Sequence, residues 1–178
     1  GCPLYASLPT GLGIANERAY YRAPHSQAEF VLFRADSPLG VLYASARRGS
    51  SSAKDWGPIF KTDIPNDDSN IDAGLLPNGS VFLASNPLIG RAGFRQRDPI
   101  TLAVSDDGSH FRTVGVAMTC EDLGVDACRP RTRTSGNGGP SYPQVVVVSA
   151  PAPRALQGVY VSATNNKEDV WVTRLASL

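Results

Sequence analysis

The chain has little lysine, few cysteines, almost no net charge, no long hydrophobic run and scarcely any helical periodicity, and each shortage excludes something. No stretch approaches the roughly 18 consecutive apolar residues of a membrane-spanning helix, and Gly1–Thr10 lacks the layout of a signal peptide. Basic and acidic residues number 17 and 16, so no global field points to nucleic acid or an anionic membrane. The three cysteines form no CxxC pair and have no neighbouring His, which argues against a zinc site. Only Lys54, Lys61 and Lys167 are lysines, so 14 of the 17 basic residues are arginine. Codon usage alone gives such a bias, but Arg is also the residue that grips carboxylates in a planar, two-pronged geometry. Glycine (17) and proline (14) are in excess and imply many turns, while 178 residues suffice for one domain with a substantial core.

Cys120 and Cys128, in the polar stretch MTCEDLGVDACRP, favour a local disulfide in a secreted protein, with Cys2 free or paired elsewhere. Asn78-Gly79-Ser80 is a glycosylation sequon, compatible with the same secreted, extracellular or periplasmic setting.

Short apolar or alternating runs recur along the chain: Phe30–Arg34, Gly40–Ala46, Ser80–Ser85, Ile100–Ser105, Val145–Val148, Val159–Ala163 and Val170–Leu175. They are rich in Val, Ile, Tyr and Phe and divided by Gly, Pro, Asn or Asp, which is a strand-and-turn pattern. Pro77-Asn78-Gly79 reads as a hairpin turn, because Asn-Gly tolerates positive φ. The expected class is all-β with short antiparallel strands, as a sandwich, barrel or propeller. Lys61–Gly74 and Met118–Pro140 read as long loops, the latter carrying the spaced cysteines, Arg129, Arg131, Arg133 and a Gly-rich end.

Ser105-Asp106-Asp107-Gly108-Ser109-His110-Phe111 fits Ser-x-Asp-Gly-x-x-aromatic, the Asp-box that closes a hairpin in a propeller blade. Ser45-x-Arg47-x-Gly49 followed by Trp56 is a degenerate second copy that lacks the Asp. Other segments keep a recognisable order: Trp56-Gly57-Pro58, Thr62–Asn66, Ile71–Gly74 with Leu76–Gly79, Asn86-Pro87, Arg97–Leu102, Ser141-Tyr142-Pro143, and Asn166–Leu175. Together with the Asp-box they resemble the sialidase superfamily, the proteins with BNR or Asp-box repeats. The resemblance implies a six-bladed β-propeller, of which residues 1–178 would form one partial domain, the C-terminal three to four blades. A closed four-bladed propeller and a β-sandwich lectin are the architectural alternatives.

The resemblance also implies a site. Sialidases hold the substrate carboxylate with three arginines and use a Tyr nucleophile activated by a Glu, in place of the usual carboxylate pair. Arg34 looks like the second arginine of the triad, and Arg97 like the third, in competition with Arg91 and Arg95. Tyr142 looks like the nucleophile, and Glu29 is the activating Glu on sequence order, although the family's spacing is longer. The first arginine and the acid/base Asp would belong to an N-terminal half of the same propeller. The implied activity is exo-acting, retaining hydrolysis of an acidic sugar or glycoconjugate, sialic or uronic, with no cofactor; the rival is a non-catalytic propeller that binds carbohydrate or protein. Asp68-x-Asn70-x-Asp72 begins like a calcium loop, but Ala73 replaces the turn glycine and no Glu stands at the twelfth position, so an Asx-rich turn is expected.

Overall fold

A computed structural model describes residues 6–7, 14–26, 28–36, 39–49, 55–87, 97–124, 138–165 and 169–175. The class is all-β, as the sequence implied. Three antiparallel sheets account for the strands among the described residues, and none closes into a barrel. The first runs in the order β1 (Ala6–Ser7), β2 (Ile14–Arg22), β3 (Ala28–Ala35), β4 (Val41–Arg48) and β5 (Phe60–Pro65). The second is a meander of β6 (Asp72–Leu75), β7 (Val81–Ser85), β8 (Ile100–Ser105) and β9 (Arg112–Met118). The third comprises β10 (Pro140–Val148), β11 (Gly158–Asn165) and β12 (Asp169–Leu175). Among the described residues helix is confined to one turn, α1 (Cys120–Leu123), capped reciprocally by Thr119 and Asp122, and a 3-10 turn at Arg154–Leu156.

Alternation along the strands explains the stacking. Leu83 and Val81 of β7 join Leu32, Leu42 and Ala44 of the first sheet in one core. Phe82 and Ala84, pointing the other way, join Val159 of the third sheet. The second sheet is thus covered on both faces, and every residue of β7 and β8 is buried. That is why Val81–Ala84 reads as a continuous apolar run rather than an alternating one. Across sheets, β2 and β10 both approach β6.

The expected loop at Lys61–Gly74 is not one. It holds β5 and β6, and only residues 66–71 connect them. The misreading has a cause: β5 is an edge strand with Ile64 as its one buried side chain, so it carries little apolar signal. Strands β2 and β9 were also illegible, β2 because a bulge at Asn16–Arg18 breaks its alternation and β9 because its first five residues are exposed. Of the expected Met118–Pro140 loop, α1 interrupts the described part and residues 125–137 lie outside the described residues.

The Asp-box forms the β8–β9 turn. Asp107 Oδ1 accepts from the amides of Ser109 (2.8 Å) and His110 (2.9 Å), and Ser105 Oγ accepts from Gly108 N at 2.8 Å. Phe111 packs on the core between the first and second sheets and meets Tyr21 edge-on at 6.1 Å. The degenerate copy occupies the corresponding place after β4. Ser45 Oγ donates to Gly57 O at 2.7 Å, and Trp56 packs on Val31, Phe33 and Tyr43. The Asn78-Gly79 turn forms as expected, with Gly79 at φ 90° and its N–H on Leu76 O at 2.9 Å.

The Asp-box turn also seals the two sheets together, because Tyr21 Oη donates to Gly108 O at 2.6 Å. A Cβ on Gly108, where φ is +80°, would fall 2.6 Å from Ala23 Cβ, whereas one on Gly79 meets nothing within 4 Å. Gly108→Ala is therefore expected to cost about 2–4 kcal/mol, from left-handed strain and overpacking together. Gly79→Ala should cost only the strain, about 1–2 kcal/mol. Urea unfolding of the two variants measures the difference; equal losses would show that the Asp-box turn does not pack on the first sheet.

Candidate functional site

Antiparallel pairing fixes which residues share a rim. The start of β2 lies beside the end of β3, the start of β8 beside the end of β7, and the start of β10 beside the end of β11. Residues 66–71 and 97–99 enter the second sheet at this same end, while both Asp-box positions and the Asn78-Gly79 turn lie at the other.

Arg34, near the end of β3, shares the face of Phe30 and Leu32 that packs toward the second sheet. Its Nε donates to Asp68 Oδ1 at 2.6 Å, and a second guanidinium nitrogen pairs with the Glu17 carboxylate. Burial opposes the charge, but the bonds to Asp68 and Glu17 outweigh it and hold the guanidinium pKa above its ordinary value. Asp68 sits in residues 66–71, a buried polar stretch tied down by Asn66 N to Gly40 O (2.9 Å), Asp67 N to Asn86 O (2.8 Å) and Ser69 N to Asn66 Oδ1 (3.1 Å).

Arg97 reaches the same aspartate from the other side. Its Nη2 donates to the Asp68 carbonyl at 2.9 Å, and its guanidinium lies 5.7 Å from the centroid of the Tyr142 ring. Arg97 is 1 % exposed, yet its Nε and Nη1 find no partner among the described residues. A buried guanidinium with unmet donors is costly unless something accepts from it, and an incoming anion is one such acceptor.

The backbone carries a matching signature. Among the described residues, three non-glycine residues have positive φ: Glu17 (36°), Asp68 (44°) and Tyr142 (57°). All three belong to this cluster. Glu17 occupies the β2 bulge and Tyr142 a bulge between Ser141 and Gln144 of β10, the devices that re-aim a side chain out of a strand. Each left-handed residue costs of order 1–2 kcal/mol, and such strain concentrates at binding and catalytic sites.

Arg34, Arg97 and Tyr142 are thus brought together, and Glu29 is not. Glu29 is the second residue of β3, five residues before Arg34 and so about 16 Å away along the strand, on the opposite face. It is 3 % exposed and paired with Arg22 at 2.8 Å and with Arg47. Arg91 and Arg95 lie outside the described residues, as do Arg129, Arg131, Arg133 and Cys128. Cys120 is disulfide-bonded to a partner that also lies outside them. Sequence reasoning missed Glu17, hidden in a short polar run, and met Asp68 only as the head of a calcium-like motif. Asp68 Oδ1 is occupied by Arg34 and Asp72 Oδ2 accepts from Val145 N at 2.7 Å. No group of three metal-ligating side chains occurs among the described residues.

Two clefts lie away from this cluster. One of about 390 Å³ opens between the second and third sheets beside Leu76, Val147 and Arg174; one of about 170 Å³ lies beside Asp63, Thr101 and His110. Neither is lined by Arg34, Arg97 or Tyr142.

The guanidinium of Arg22, and then that of Arg47, hold the Glu29 carboxyl down to about 2 from an ordinary 4.5. A carboxyl lowered in the folded state stabilises fully above its unfolded value, so this contribution is present above about pH 4.5 and lost as pH falls toward 2. Glu29→Gln is expected to flatten the dependence of the thermal midpoint on pH across that window; a slope identical to wild type would show that the pairs do not form in solution.

One curated protein, the chloroplastic iron–sulfur subunit of the cytochrome b6-f complex from Bigelowiella natans, is 36% identical over 74 residues, covering 39% of this chain and 29% of that protein. The chain therefore spans less than a third of that relative. Iron–sulfur clusters need several Cys or His ligands converging, and the described residues hold no such group. The BNR repeat-like domain family matches residues 23–153. With its Asp-box turn in place between β8 and β9, the chain belongs to the BNR repeat-like family, within the sialidase-like superfamily that its motifs resemble.

Proposed function

We propose that this chain contributes the carboxylate-binding and nucleophilic side of the active site of a sialidase-like glycoside hydrolase built on a β-propeller. The observation that carries the reading is the convergence of Arg34, Arg97 and Tyr142 beside Asp68, with the left-handed non-glycine residues of the described chain all gathered there. Three sheets stacked face to face, with β2 and β10 both against β6 and Asp-box positions at corresponding turns, support the propeller. The disulfide at Cys120 supports an oxidising, secreted setting.

In this reading Arg34 and Arg97 bind the carboxylate of an acidic sugar through charge-assisted hydrogen bonds, and the unmet Nε and Nη1 of Arg97 supply donors. Tyr142 Oη attacks the anomeric carbon as the glycosidic bond breaks, and its proton passes to a carboxylate. Glu17, not Glu29, takes that role, because it is the glutamate of the cluster. Water then attacks the anomeric carbon as its bond to Tyr142 Oη breaks; Glu17 returns its proton to the departing phenolate oxygen, and the acid that protonated the leaving group, now a carboxylate, takes the proton from the water, with net retention. The acid that protonates the leaving group, and a further arginine, come from outside the cluster.

One observation favours the non-catalytic alternative, a carbohydrate-binding propeller: Arg34 already serves two carboxylates, so a ligand must compete for it. Kinetics on the full-length protein with an aryl sialoside and an aryl uronide separates the two. Tyr142→Phe is expected to lower kcat at least about 10²-fold, and Arg97→Lys to raise KM roughly tenfold by removing the two-pronged grip. Glu29→Gln should change kcat/KM less than about twofold, since Glu29 lies off the site. Binding without turnover in the wild type would establish the carbohydrate-binding alternative instead.

A further inference from the structure

We propose that Asn86, a buried residue with no contact to the reacting groups, is the positioning residue that sets Arg97 and Tyr142 relative to each other; the inference rests on the anion-site reading above. Asn86 follows β7 and is 1 % exposed. Its Nδ2 donates to three carbonyls: Arg97 O at 3.2 Å, Pro99 O at 3.0 Å and Pro140 O at 3.1 Å. Its own carbonyl accepts from Asp67 N at 2.8 Å. One residue therefore touches the segment before Asp68, the segment of Arg97, and the strand start two residues before Tyr142.

The chemistry fixes which way the amide points. Reversing it would set Oδ1 against three carbonyl oxygens, so the NH2 must face them. Two hydrogens serve three acceptors, one of them shared. Pro99 and Pro140 have no N–H with which to exchange backbone bonds, so the amide holds what a regular ladder cannot. Arg97 is clamped on both sides: its N–H donates to Gly138 O at 3.0 Å while its carbonyl takes the Asn86 amide. The clamp leaves no slack, since a Cβ on Gly139 would lie 2.9 Å from Arg97 O. Arg34, by contrast, is held by Asp68 and Glu17 and has no tie to the Asn86 side chain.

That asymmetry gives the test. On the full-length protein labelled with 15N-arginine, the Nε–H signals of Arg97 and Arg34 are assigned through Arg97→Lys and Arg34→Lys. In Asn86→Asp, which turns an anionic oxygen on the carbonyls, and in Asn86→Ser, which removes the amide without adding charge, the Arg97 signal is expected to shift or broaden while that of Arg34 stays. Turnover of an aryl sialoside should fall at least about tenfold in kcat as Tyr142 is misplaced, with KM rising by no more than the roughly tenfold expected of Arg97→Lys as Arg97 is misplaced. A lower thermal midpoint with both signals and kcat unchanged overturns the proposal and leaves Asn86 a structural tie. Equal movement of both arginine signals in Asn86→Ser overturns it as well. If the wild-type protein shows no turnover, the glycosidase reading fails by itself, because the Arg97 signal still reports whether Asn86 positions it.

Discussion

Asp68 joins two arginines that come from different sheets, giving its carboxylate to Arg34 and its carbonyl to Arg97. Removing two guanidiniums from water costs several kcal/mol per ion unless geometry and hydrogen bonds compensate. The compensation requires Asp68 to sit in the left-handed region, which an L-residue adopts only when its surroundings over-determine it. Those surroundings are the ties of residues 66–71 to Gly40 and Asn86, that is, to both sheets that the loop connects. The rest of the rim depends on this junction. The bulge at Glu17 brings a second carboxylate to Arg34, and the bulge at Tyr142 turns a ring toward Arg97.

The two rims divide the work. At the Asp-box rim, short turns are saturated with local hydrogen bonds, glycines stand where positive φ is needed, and the aromatic residues plug the spaces between sheets. At the opposite rim positive φ angles fall on Glu, Asp and Tyr as well as on Gly40 and Gly139, and a buried cation keeps unmet donors. The second sheet, buried on both faces, is the rigid spacer between them. A stiff scaffold holding a strained polar rim is the arrangement expected where recognition needs groups fixed before the ligand arrives.

The sequence made the central strands legible because burial on both faces writes an uninterrupted apolar run, as in Val81–Ala84. It also made the Asp-box legible, since that turn's chemistry is entirely local. Arg34, Arg97 and Tyr142 could be named from the order of motifs. What could not be read was anything set by pairing across sheets. Glu29 and Glu17 are both glutamates near Arg34 in sequence, and only the antiparallel register of β2 with β3 decides which one meets it. Asp68 offered the same difficulty: its neighbours in sequence suggest an Asx turn or a calcium ligand, while its partners are 34 and 29 residues away. Edge strand β5 stayed hidden because a strand with one buried residue has no period to detect.

The most direct measurement is a crystal structure of the full-length protein soaked with sialic acid. The account predicts the sugar carboxylate within hydrogen-bond distance of both Arg34 and Arg97, accepting from Arg97 Nε or Nη1, with Tyr142 Oη facing the anomeric carbon. A sugar seated elsewhere, or a carboxylate bound with Arg97 left untouched, would contradict it.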